Sequence, residues 1–270
     1  MNATTRFALC IAASLAILAP VAVLAETNAP GAATSVADTA IQAEAQRKKR
    51  LDEAKDLILD GNPQRAIEII DGIISEYETQ YPEGDTRWYV ARDAGESLAY
   101  MISAVASKDD KQKNAQALIV LWADAYYMKG YALVELSAGS GGFKVAKPAP
   151  ATDPHYLAQA KQAFARGIHL APYHSAMQAE MGQVYQSEND WDNAYRYYAA
   201  AEDTAAFSPK EEQNADLGRA KRGMGFVLIE QGKLDAAETK FNECLKLDPD
   251  DAGAKRELTY IAWLREQPKN

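Results

Sequence analysis

One stretch near the C-terminus, residues 225–249, constrains the fold more than any other part of the sequence. It reads GFVLIEQGKLDAAETKFNECLKLDP, and the central QGK predicts a turn between two helices. Small residues at Gly225 and Ala237 let the two helices approach closely, while Phe241 fills the space between this pair and a neighbour. Pro249 ends the second helix. One such pair cannot bury its apolar face alone, so the pattern predicts further copies that stack on it.

Copies of this pattern do occur upstream. The small, small and large residues that define each copy are Ala54, Ala66 and Ile70, then Gly130, Ala160 and Phe164, then Gly182, Ala194 and Tyr198. The predicted helix pairs cover residues 47–81, 86–121, 123–174, 175–208 and 218–251. A last helix over 251–266 is predicted to cap the final apolar face.

Three of the copies depart from the regular spacing. In the second, we predict a helix over Thr86–Ser107 and a degenerate partner over 111–121, with either a tight turn near Leu121 or a helix fused to the next one. The third is interrupted by residues 137–153, rich in Gly, Pro, Ala and Ser, which predicts a loop. The fifth copy follows extra residues, and SPKEE from Ser208 predicts an earlier, capped start for its first helix.

The N-terminus predicts export. Arg6 precedes an apolar stretch, and Val23-Leu24-Ala25 forms a small-x-small cleavage site, so residues 1–25 are predicted to be a signal peptide. The alternative is an uncleaved membrane anchor. Cleavage before Glu26 would leave no membrane span, a flexible tether over 26–40 and a periplasmic or secreted chain. Cys244 would then be its sole cysteine, so no internal disulfide can form.

The spacing of small residue, Ala-x3-Phe and Pro resembles that of tetratricopeptide repeat proteins, across about 45–267. The resemblance implies an all-α, right-handed α-solenoid of roughly five helix pairs plus the capping helix, in a domain over 41–267. It also implies that a concave groove lined by the first helices binds a segment of a partner protein. Together with the predicted signal peptide, this makes the chain resemble an exported bacterial member of the family.

By that resemblance, the groove would be lined by Tyr127, Tyr131, Gln183, Gln186, Arg219, Arg222, Phe226 and Glu230. The set of basic residues and asparagines with which some family members bind a peptide carboxylate is not reproduced. Arg219 and Arg222 form either a positive stripe that selects acidic segments or ion pairs with Glu211, Glu212 or Asp216 on their own helix.

The sequence predicts no cofactor, metal site or catalytic residue. The net charge of −9 argues against nucleic acid as a partner, because phosphate binding needs a positive surface. His155, His169 and His174 lack the spacing of metal ligands and are predicted to lie on the surface or in loops. Cys244 takes the place of a small buried residue and is predicted to be an inert core thiol. The run Arg47–Arg50 is either a solvated face or an anionic-surface site.

Three functions follow from these patterns. The favoured one is a scaffold that binds a protein or peptide segment, and the alternative is a structural or assembly subunit of an envelope complex that self-associates. An enzyme with an undetected site is the third.

Overall fold

The computed structural model of the chain describes residues 30–107, 114–138 and 153–267. The contacts divide the chain into two units, 1–45 and 46–270. In the first unit the described residues form the beginning of one helix. The predicted signal peptide with its cleavage site and most of the 137–153 loop lie outside the described residues. Within the described part, no helix combines the length and apolar character needed to cross a membrane.

The described residues form ten α-helices, two strands and one short 3-10 helix. The elements up to the middle of the chain are α1 (Pro30–Leu59), α2 (Pro63–Gln80), β1 (Arg87–Val90), α3 (Ala94–Ala106), β2 (Ala115–Leu118) and α4 (Trp122–Ser137). The others are α5 (Pro154–Leu170), α6 (Ser175–Ser187), α7 (Trp191–Thr204), the 3-10 helix (Ala205–Phe207), α8 (Gln213–Glu230), α9 (Leu234–Leu247) and α10 (Ala252–Glu266).

The helix pairs α4–α5, α6–α7 and α8–α9 pack as the repeat pattern predicts. In each pair, the glycine of the first helix faces the aromatic ring of the second. A Cβ atom at Gly225 would lie 2.7 Å from Cζ of Phe241, and one at Gly182 would lie 3.0 Å from Cδ1 of Tyr198. The pair therefore approaches closely because the glycine has no side chain. The predicted all-α helical-repeat solenoid is confirmed for these pairs.

The turns inside the repeats share one backbone feature. Gly61, Asn189 and Gly232 have φ angles of 79°, 58° and 73° and follow α1, α6 and α8. A left-handed residue directly after a helix lets the chain reverse and satisfies the last carbonyl groups. Glycine and asparagine adopt this conformation most readily, which explains why these positions mark the repeats in the sequence.

The predicted second helix pair, 86–121, is wrong. In its place lies a β1–α3–β2 unit, in which the two strands pair in parallel with Arg87 opposite Ala115 and Val90 opposite Leu118. The strands alternate: Val90 belongs to the main core, whereas Tyr89 packs beneath α3 with Tyr100. Such alternation has a period of two, which a helix cannot use. We call residues 87–118 the insertion.

Two boundaries also differ from the predictions, and a third is confirmed. The predicted tether over 26–40 overlaps α1, which begins at Pro30. The alanine-rich segment that follows Pro30 favours a helix. A break at Leu121 is confirmed, but a strand precedes it. The helix α8 is long, as predicted, yet it begins at Gln213 because Ser208 donates its hydroxyl to Asp216 instead of opening the helix.

Candidate functional site

The first helices of successive repeats lie side by side. α4 packs against α6, α6 against α8, and α8 against α10. We call the surface formed by α4, α6 and α8 the first-helix surface. All the groove residues expected from the sequence lie on these three helices.

The centre of the first-helix surface is a polar cluster that joins all three helices. Arg219 of α8 donates from Nη1 to Oε1 of Glu180 on α6 at 3.0 Å, and Tyr127 of α4 lies beside the same guanidinium. Glu180 is almost fully buried, whereas 44% of the Arg219 side chain is exposed. Burial raises the pKa of Glu180, Arg219 opposes this, and Glu135 adds to it. The cluster therefore holds one carboxylate in place with one guanidinium.

The second arginine pairs at the end of the surface. Arg222 donates from Nη1 to Oδ2 of Asp251 at 2.5 Å, and Asp251 also caps α10 by accepting from the backbone N–H of Ala254. Both arginines are thus paired, although with Glu180 and Asp251 and not with acids of their own helix. The positive charge of the expected stripe is largely neutralised.

The remaining predicted residues differ in how accessible they are. Gln183 and Glu230 are exposed, and Gln186 accepts from the hydroxyl of Tyr198 at 2.9 Å. Phe226 is half-buried, with its ring centroid 6.4 Å from that of Trp191. Tyr131 is also half-buried, and burial together with Glu135 raises the pKa of its hydroxyl to about 12. Of these side chains, Gln183 and Glu230 are the most open to a ligand.

Glu180 is the site residue that sequence reasoning missed. It lies in AEMG, between Ala179 and Met181, which are both buried. A charged residue among buried apolar neighbours is a signal for a paired or functional carboxylate. The signal was available, but the partner is 39 residues away.

One histidine differs from the prediction, whereas the cysteine agrees with it. His174, predicted to lie on the surface or in a loop, lies in the turn before α6 but is buried, and its Nδ1 accepts from the N–H of Met177. Cys244 is buried as predicted, and burial raises the pKa of its thiol to about 11. Among the described residues, no group of three or more potential ligands could hold a metal ion.

A second candidate site is a cavity of about 390 Å³ near the start of the insertion. It is lined by Glu78, Tyr81, Glu83, Trp122 and Arg166. Arg166 pairs with Glu83 and lies 3.9 Å from Glu78. The charged groups that line the cavity therefore pair with one another, and the first-helix surface is the stronger candidate for a binding site.

No family model matches the chain, and no curated protein matches it. The chain is similar to solved structures. A MamA RS-1 ArsTM double mutant is 14% identical, with 82% of this chain and 85% of that one covered at a TM-score of 0.47. TTC0263, a thermophilic TPR protein in Thermus thermophilus, is 13% identical, with 80% of this chain and 99% of that one covered at a TM-score of 0.41. The first TPR of Spaghetti (RPAP3), bound to HSP90 peptide SRMEEVD, is 18% identical, with 52% of this chain and 96% of that one covered at a TM-score of 0.34.

The helix pairs themselves define the class of protein. The glycine–aromatic contact within α4–α5, α6–α7 and α8–α9 and the side-by-side packing of their first helices are the features of an α-helical repeat solenoid. Proteins built this way stack their repeats into extended surfaces with which they bind other molecules.

Proposed function

We propose that this chain is an exported scaffold that binds an extended segment of a partner protein on its first-helix surface. The observation that carries the proposal is the cluster of Tyr127, Glu180 and Arg219. It fixes three consecutive first helices to one another while Arg219 stays accessible. A surface whose polar groups are already ordered loses less entropy when it binds.

The composition of the surface supports a protein partner over a small molecule. It carries aromatic, amide and charged side chains spread over three helices, rather than a few polar groups converging in one enclosed pocket. Tyrosine and arginine are also among the residues that most often dominate protein interfaces. Export to the periplasm or beyond is inferred from the N-terminal sequence alone. N-terminal sequencing of the exported chain should give Glu26 as its first residue.

The proposal can be tested by blocking the surface. Gln183→Trp places a bulky side chain at an exposed position of α6, on the first-helix surface. The control, Gln162→Trp, places the same group at an exposed position of α5, which is the second helix of its pair. After crosslinking in the native compartment, mass spectrometry should recover a partner with wild type and Gln162→Trp, and much less of it with Gln183→Trp. Equal recovery with both variants would exclude the first-helix surface.

Self-association in an envelope complex is the second candidate function, and one observation favours it. The outer side of α3 is uncharged and exposes Leu98, Ile102 and Val105 at helical spacing, by 53%, 61% and 81%. Exposed apolar patches often mark interfaces. Light scattering at micromolar concentration should detect an oligomer that Ile102→Lys dissociates if this function is the right one, and a monomer in both cases otherwise.

A further inference from the structure

The capping helix α10 has an aromatic stripe on its exposed side. Tyr260 and Trp263 are 45% and 51% exposed, the highest values for aromatic side chains in the described part of the chain. Their ring centroids lie 5.7 Å apart at an interplanar angle of 15°. Arg256 precedes Tyr260 by four residues, so all three share one side of the helix. We call Arg256, Tyr260 and Trp263 the α10 stripe.

The α10 stripe continues the first-helix surface. A Cβ atom at Gly253 would lie 3.3 Å from Cδ of Arg222, so Arg222 of α8 lies over the start of α10. Gly253 shares a side of α10 with the stripe, because steps of three and four residues follow one face of a helix. A segment that runs along α4, α6 and α8 therefore meets the α10 stripe next.

Arg256 differs from the arginines of α8. Arg219 and Arg222 each pair with a carboxylate, and on α10 itself Arg265 pairs with Asp235 and Glu238. Arg256 is exposed and, within the residues that the structure describes, makes no hydrogen bond or ion pair. It can therefore bind a carboxylate without first losing one.

We propose that the α10 stripe anchors the bound segment by taking an aromatic or aliphatic side chain next to an acidic residue. The apolar side chain would cover the stacked rings of Tyr260 and Trp263, and the carboxylate would pair with Arg256. This inference rests on the proposed function. The chain's net charge of −9 disfavours an anionic membrane as the occupant, because like charges repel.

A random peptide library displayed on phage and selected on the purified chain tests this pairing. Selected peptides should be enriched in an aromatic or aliphatic residue adjacent to Asp or Glu. In fluorescence anisotropy with synthetic copies, Tyr260→Ala with Trp263→Ala should weaken binding about tenfold or more, the scale of an interface hot spot. Arg256→Gln should abolish the preference for the peptide with Asp over the same peptide with Asn. Ile102→Ala with Val105→Ala, which removes two even more exposed apolar groups from α3, should change nothing.

The outcomes separate the two proposals. Peptides that bind the α10 variants as well as wild type, but fail to bind Gln183→Trp, overturn the α10 stripe and leave the first-helix surface in place. Peptides that bind all variants equally, or a library that yields no binder, overturn both. Concentration-dependent self-association that Tyr260→Ala with Trp263→Ala abolishes would assign the stripe to a second copy of this chain and overturn the proposal.

Discussion

The regular repeats and the insertion are attached to the molecule through different kinds of contact. In the repeats, a glycine on one helix faces a ring on the next, as Gly225 faces Phe241, and the contact is apolar. The insertion instead contacts the α5–α6 turn and the 3-10 helix through a polar network. Arg92 donates to the backbone oxygens of Tyr173 at 3.3 Å and Phe207 at 3.0 Å.

Buried groups complete the network of the insertion. Glu96, 3% exposed, accepts from Arg92 and from the hydroxyl of Tyr100, the latter at 2.7 Å. That hydroxyl in turn accepts from the N–H of Tyr173 at 3.2 Å. Polar networks of this kind specify one arrangement only when every member is satisfied. The comparison shows that close glycine–aromatic packing joins the helices of a repeat, whereas the insertion adds directional hydrogen bonds to its own aromatic packing, in which Tyr100 stacks on Tyr173 with ring centroids 4.8 Å apart.

The largest expected effect comes from filling a close contact in a repeat. Gly225→Ala would place its Cβ 2.7 Å from Phe241, and such overpacking should lower the free energy of unfolding by about 3 kcal/mol. Gly72→Ala is the matched control, since nothing lies within 4 Å of its Cβ position on α2, and it should raise stability by about 0.5 to 1 kcal/mol. Urea denaturation measures both. Equal effects of the two alanines would show that the repeats do not depend on close approach.

A polar contact inside the regular region should matter somewhat less. Arg219→Ala leaves Glu180 buried without its cation, and since Arg219 is partly exposed and screened by water, we expect a loss of about 2 kcal/mol at neutral pH. Burial already holds the folded-state pKa of Glu180 above 4.5, and the substitution raises it further.

The pH dependence of this variant has a definite sign. Without Arg219, the ionised form of the Glu180 carboxylate is less stable in the folded chain, which raises its pKa. The loss of folding stability in Arg219→Ala is therefore largest above that pKa and shrinks as the pH falls through it. Melting temperatures at pH 7.5 and 5 should converge towards wild type at the lower pH. Arg256→Ala, which removes an arginine without a partner in the described structure, should show no such trend. A deficit in Arg219→Ala that is constant with pH would contradict the role of Glu180.

The insertion should respond to loss of a single hydroxyl. Tyr100→Phe leaves the N–H of Tyr173 without its acceptor and Glu96 without one donor, at an expected cost of about 1.5 kcal/mol. Tyr260→Phe removes an exposed hydroxyl and should stay within about 0.5 kcal/mol of wild type. Thermal unfolding followed by circular dichroism compares the two. A neutral Tyr100→Phe would mean that apolar packing alone holds the insertion.

The comparison also explains which parts of the fold could be predicted. The signature residues of a repeat, such as Gly225 and Phe241, contact each other within one helix pair, so a local pattern records the contact. The strands of the insertion pair across α3, and Tyr100 meets a residue 73 positions away, which leaves no local pattern. For the same reason the groove residues could be placed on their helices, whereas the pairing of Arg219 with Glu180 could not.

The interruption of the third repeat should have the smallest effect when it is removed. The N–H of Asp153 donates to the carbonyl of Ser137 at 2.8 Å, so the two ends of this segment meet at one point, where a regular repeat would turn. Replacing residues 139–152 with a short Gly-Asn turn shortens a connection whose flanking residues already meet. Because closure entropy depends weakly on loop length, we expect stability to change by less than about 1 kcal/mol. Urea denaturation of the shortened chain tests this. A larger loss would show that residues 139–152 pack against the repeats as a second insertion, unlike the short turns at Gly61 and Gly232.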